Sequence, residues 1–233
     1  MLPRVLPFAL FMAFIGLNAL LQALAPEAEW LPAALVWLYP VRTAVVVAVL
    51  VYFWRDYDEL RTVDDRTDGR GQSRPWTGAG DMALAVLVGV AVYLAWVRMD
   101  WPWATQGADG AGYDPFIVEG PAAYALAAVR LLGAAAVVPL MEELFWRSFI
   151  MRYLVNSDFA TVRPGAFTPL SFGATVVLFG VEHNLWLAGM MAGVAYALLL
   201  YRSGNLWTCI WAHAVTNLAL GMHVLVRSEW RWW

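Results

Sequence analysis

The chain has 233 residues, 61% of them hydrophobic and only 14% charged, with a mean hydropathy of +0.59. A soluble domain is nearer half apolar and a quarter charged, so these charges are too few to clothe a soluble surface. The net charge of −3 gives no basic face for nucleic acid, all 15 basic residues being arginine, and a single cysteine, Cys209, excludes an internal disulfide. As a membrane bundle the chain makes one domain, 1–233.

A spanning helix needs roughly 20 mostly apolar residues. The first candidate, 5–25, follows Met1 to Arg4, and Ala23-Leu24-Ala25 mimics a signal-peptide cleavage site. Its full spanning length and Pro26 just after the site argue for a retained span. Further candidates follow at 31–54, 81–98, 122–155, 169–183, 185–201 and 206–226. The fourth is long enough to conceal a break, so the expectation is an all-α, polytopic membrane bundle of seven to eight transmembrane helices. Spans within 1–98 would form an N-terminal part and 120–226 a second part.

Between the second and third candidates, residues 55–80 hold Arg55, Arg61, Arg66, Arg70 and Arg74 among six acids. That composition reads as a solvated loop. Positive loops stay cytoplasmic, so it also sets orientation, with 26–30 and 99–121 outside. Arg4, Arg152, Arg163 and Arg202 then fall inside. Seven spans leave Arg227 and Arg231 outside, a conflict that an eighth element would remove. Trp101, Trp103, Tyr113 and the tail Trp230, Trp232 and Trp233 suit interfacial belts. Gly189 and Gly193 form a small-xxx-small pair for close helix packing.

Ionisable groups inside spans cost on the order of 3 kcal/mol each, so they call for a reason. In the first half only Arg42 stands out. The second half carries Arg130, Glu142, Glu143, Arg147, Glu182, His183, His213 and His223, with Asn217 close by. Glu143 and Arg147 are four apart on a helix, the favourable order for an ion pair. Glu142 points about 100° away and cannot share that partner equally. One carboxylate is neutralised; the other is left to face a cavity as a general base. His183 ends the fifth candidate, where an imidazole could equally snorkel to water. His213 and Asn217 share one face of the last span through their i, i+4 spacing, as a site or as polar glue between helices. Helix rise puts all four at depths where they can meet.

Taken in order, Glu-Glu-x-x-x-Arg (Glu142, Glu143, Arg147), Phe-x-x-x-His (Phe179, His183) and His-x-x-x-Asn (His213, Asn217) resemble the motifs of the CPBP family. These are the CAAX-protease and bacteriocin-processing, or Abi, intramembrane proteases, and the resemblance covers residues ~120–226. It implies a glutamate-dependent endopeptidase, without metal or other cofactor, that cuts a peptide or membrane-protein substrate. Glu142 and His183 would activate water, His213 and Asn217 would stabilise the oxyanion, and Glu143 and Arg147 would support Glu142. Length and hydropathy are also similar to a bacterial, exosortase-associated subgroup, implying a multi-pass protein of the bacterial inner (cytoplasmic) membrane, its cavity opening to the cytoplasm.

Four rivals follow from the same residues. Two histidines and a glutamate could ligate zinc, although H-E-x-x-H is lacking. Cys209 precedes His213 by four residues and could touch it as a nucleophile. Gly78-Ala79-Gly80-Asp81 spells the G-x-G-D of aspartyl proteases at a position where Asp81 is expected to cap a helix. A non-catalytic scaffold, immunity protein or transporter would use intramembrane charges for other ends.

Overall fold

The computed structural model describes residues 1–61, 78–107 and 112–233. Among them seven long helices carry the fold and no strand occurs. They are α1 (Leu2–Leu24), α2 (Leu31–Tyr52), α3 (Ala79–Trp96), α4 (Pro121–Tyr153), α5 (Pro169–Val181), α6 (Trp186–Ser203) and α7 (Leu206–Arg227). Much of the expected 55–80 loop, with Arg66, Arg70 and Arg74, lies outside the described residues.

Local sequence explains where the helices start and stop. Proline sits in the first turn of α1, α2, α4 and α5, where its missing N–H costs nothing. At the head of α5, Thr168 and Ser171 form a reciprocal capping box. Gly204 ends α6 in the left-handed region at φ +63°, and the Asn205 side chain then accepts from Trp207 N to start α7. Asp81 lies inside the first turn of α3, behind the cap residue Gly78, so the expected cap is not made.

α1, α2, α3, α4 and α7 are long and apolar enough to cross a membrane. Apolar side chains such as Leu87, Leu132, Leu198 and Val226 point outward, as a lipid-facing surface requires. The protein is an integral membrane helix bundle. α4 conceals no break: it runs 33 residues through two π-helical stretches, Gly133–Val137 and Leu144–Ile150. No eighth long helix follows α7 among the described residues.

α5 is the exception in length. Its 13 residues rise about 20 Å, well short of a hydrocarbon core of roughly 30 Å. His183 therefore lies in the α5–α6 turn rather than at the end of a full span. A bare turn at that depth would strand carbonyl groups. Gln106, from the α3–α4 connection, covers it: its amide donates to Val181 O (2.5 Å) and His183 O (2.9 Å), and its backbone N–H to Asn184 O.

Two apolar clusters flank the bundle axis. One joins Trp146, Phe179, Tyr196, Cys209 and Ala212 with Ala85 and Val92 of α3; the other joins Val46, Leu50, Met141, Leu144, Leu206 and Ile210. α4 and α7 contribute to both, which fixes the two helices that bring carboxylates and imidazole together.

Candidate active site

The second π-helical stretch of α4 begins one residue after Glu143. Such stretches often mark functional sites because they re-aim side chains. Glu143 is fully buried and touches two cations or potential cations. Its Oε2 is 3.2 Å from Arg147 Nε, and its Oε1 is 3.0 Å from His213 Nδ1. Arg147, equally buried, lies over the Phe179 ring at 4.2 Å and near Tyr196 at 5.5 Å. The Arg147–Glu143 approach lacks hydrogen-bond geometry, so charge attraction and the aromatic faces hold the guanidinium.

Glu142 has no arginine. Its Oε2 is 3.9 Å from His213 Nε2 and has no hydrogen-bond partner. The two neighbouring glutamates differ as their helical spacing requires, and His213 bridges them. A carboxylate can only accept, so the Glu143 contact puts the proton of a neutral His213 on Nδ1 and turns Nε2 toward Glu142. Tyr196 stacks on the ring at 5.0 Å and is held by its own bond to Thr216.

His183 is oriented in a similar way. Its Nδ1 is 2.7 Å from Phe179 O, which as a carbonyl must accept, leaving Nε2 bare. Phe179 thus earns its place through its backbone, at the i−4 position of the Phe-x-x-x-His pattern. Asn217 donates through Nδ2 to Ala134 O at 2.9 Å, a carbonyl within the first π-helical stretch. One of its two amide protons is therefore committed to binding α7 to α4, and the polar-glue role expected as an alternative is realised.

Glu142, His183, His213 and Asn217 all line one cavity of about 210 Å³, together with Phe11 of α1 and Arg130. The cavity shares Trp96, His183, Trp232 and Trp233 with a wider chamber of about 510 Å³ beside Asp100 and Thr105. That chamber lies beside the α5–α6 turn and the tail, with Asp100 and Arg231 in its lining.

Glu182, which the sequence offered only as one more intramembrane acid with no role, also reaches this cluster. It accepts from Trp146 Nε1 at 3.1 Å, and Glu142, Glu182 and His183 offer donor atoms all within 4.8 Å of one another. The candidate metal-binding set is thus two glutamates and one histidine, not the two histidines and one glutamate weighed from sequence. Its position next to His183 was the available signal. Cys209 instead donates its thiol to Tyr196 O, buried and away from any imidazole partner.

Residues 124–219 match the family model described as Rce1-like, the type II CAAX prenyl endopeptidases. The match supports the resemblance of this stretch to the CPBP family. All seven motif residues, from Glu142 to Asn217, fall inside the match, and the peptidases of this family act on protein substrates at membranes. The CPBP match does not separate subgroups, and no curated protein and no solved structure matches the chain.

Proposed function

We propose that the chain is an intramembrane endopeptidase of the glutamic type, working without metal on a peptide or membrane-tethered protein in a bacterial cytoplasmic membrane. The observation that carries this reading is the cavity in which an arginine-free Glu142 meets two imidazoles and an amide. A water held there gives a proton to Glu142 or to the bare Nε2 of His183, and its oxygen attacks the scissile carbonyl carbon. Negative charge gathers on the carbonyl oxygen, where the second N–H of Asn217 can donate; His213 joins it as an imidazolium, with one proton on Nδ1 toward Glu143 and one on Nε2 toward the cavity. When the C–N bond breaks, the proton taken from water passes to the leaving amine, giving one carboxylate and one amine product. Glu143 keeps His213 turned toward the cavity.

Glu142→Gln is expected to abolish cleavage, by at least ~10³-fold, while the thermal unfolding of the purified protein stays within a few degrees of the parent. Terminal proteomics of membranes containing either form measures this; unchanged product termini reject the mechanism.

The closeness of Glu142, Glu182 and His183 favours zinc as the second reading. Metal analysis and a strong chelator separate the two. The glutamic reading expects no stoichiometric zinc and full activity in chelator, with Glu182→Gln retaining cleavage.

A further inference from the structure

The inner cavity of about 210 Å³ is smaller than the ~300–1,000 Å³ of ordinary ligand pockets, whereas the adjoining chamber of about 510 Å³ falls within that range. A peptide with residues on both sides of a scissile bond therefore has to occupy both spaces. Four side chains stand where the two meet: Trp96, His183, Trp232 and Trp233. Trp96 closes helix α3, and the turn carrying His183 is held by Gln106. The tail tryptophans are different. They lie on and just after the single 3₁₀ turn Trp230–Trp232, beyond the last spanning helix, and line the cavity where an interfacial belt was expected. A chain reversal at Ser228 brings them there. Ser228 is exposed and takes φ +55°, the one non-glycine with a left-handed backbone among the described residues. From there the tail is tied down at the surface. Trp232 Nε1 donates to Glu229 Oε2 at 2.9 Å, and that oxygen is 3.5 Å from His223 Nε2. His223 Nδ1 is in turn 2.9 Å from the Tyr93 hydroxyl of α3. Arg231 reaches Asp100 at 3.3 Å, their side chains 58% and 38% exposed. Exposed ion pairs and ring contacts are individually weak, so such a segment can lift without unfolding the bundle.

We propose that residues 228–233 form a strap, hinged at Ser228 and latched through Glu229 and Arg231, that closes the passage between chamber and inner cavity and lifts to admit a peptide. The strap rests on the peptidase reading only for what enters; closing the passage is a property of the fold. In the closed form Trp232 and Trp233 stand in the passage, and a peptide reaches Glu142 and His183 only in the open minority. For a two-state segment held by a few weak contacts that minority is about 0.1–10% of molecules. Apparent affinity is lowered by the same fraction, so releasing the latches raises it.

Access is measured without cleavage. Val138 lines the inner cavity, and Cys209 is buried in the bundle. Detergent-solubilised protein carrying Val138→Cys is treated with a charged methanethiosulfonate, and modification of each cysteine is followed by peptide mass spectrometry. Adding Glu229→Ala with Arg231→Ala, which releases both latches, is expected to speed modification at position 138 at least ~10-fold while Cys209 stays unmodified. Equal rates at position 138 overturn the strap. If Cys209 reacts as well, the bundle itself has loosened, and Arg231→Gln alone, at a largely exposed side chain, decides the matter. A faster rate at position 138 only then supports the strap, and an unchanged rate overturns it. The converse variant, Asp100→Cys with Arg231→Cys bridged by a short bifunctional methanethiosulfonate, holds the strap down. Its cleavage is expected to fall at least ~10-fold and to return on reduction. Cleavage indifferent to the bridge overturns the strap. Failure of the peptidase reading is seen separately, as cleavage that persists in Glu142→Gln, and leaves the access rates to judge the strap.

Discussion

Glu143 holds Arg147 on one oxygen and His213 on the other, and all three side chains are nearly or fully excluded from solvent. Replacing the carboxylate by an amide leaves Arg147 a buried, uncompensated charge, at a cost of about 3–5 kcal/mol. Glu143→Gln is therefore expected to lower the thermal midpoint of the solubilised protein by several degrees and to lose cleavage, because His213 is no longer turned by a carboxylate. The combined change Glu143→Leu with Arg147→Met removes the charge together with its partner and should recover most of the stability but none of the activity. Measuring both quantities on both variants separates the structural role from the positioning role; activity recovered in the double variant would refute the latter. Spacing alone distinguished the two glutamates, because a helix sets the angle between adjacent side chains. The link from Glu143 to His213 was not legible: it joins residues seventy positions apart, and only packing of α4 on α7 creates it. Glu182 was visible as an intramembrane acid, but its approach to Glu142 and His183 depends on where α5 ends.

At the scale of elements, the short α5 and its partner α6 decide where His183 stands. The two helices approach so closely that a Cβ on Gly180 would lie 2.3 Å from Met190 Cγ and 2.8 Å from Trp186 O. Across the same contact, a Cβ on Gly189 would lie 3.2 Å from His183 Nδ1. The Gly180→Ala variant must push α6 away, and overpacking of this kind costs about 1–3 kcal/mol. Lower thermal stability and reduced cleavage are expected together, since Phe179 O, one residue earlier, orients the imidazole. Gly173 on the same helix has open space at its Cβ, and Gly173→Ala should be neutral or gain up to ~1 kcal/mol in helix propensity. Equal behaviour of the two variants in a thermal unfolding assay would show that the α5–α6 contact is not tight. The seven apolar runs were readable because lipid demands nearly continuous hydrophobicity. Hydropathy could not show that the fifth run makes a helix of only 13 residues, or that its turn is completed by Gln106 from a distant connection.

For the molecule as a whole, the two ends have different chemistry. At one end the α3–α4 connection meets the tail through Arg231 with Asp100, Tyr113 with Trp233 and Phe116 with Trp230. The Asp100 contact offsets the charge of Arg231, one of the two arginines that seven spans leave outside. At the other end the start of α1, the segment after α2 and the end of α4 are tied by Glu59, which accepts from Arg4 at 2.8 Å and from Ser148, while Arg152 also donates to Ser148. Burial pushes the Glu59 carboxyl up, but the hydrogen bonds and charge of Arg4, with help from Ser148, outweigh it and hold the group below its ordinary value of 4.5. A carboxyl whose folded value is depressed binds protons more readily in the unfolded chain. Its stabilisation is therefore complete above the ordinary value and fades as pH falls through the lower, folded one. Comparing the parent with Glu59→Gln isolates this contribution. The variant should unfold several degrees lower at pH 7, since it strands a buried Arg4, and the gap should narrow steadily in scans taken below about pH 4.5. A gap that stays constant down to pH 3 would mean that the Arg4–Glu59 pair does not hold these three segments together.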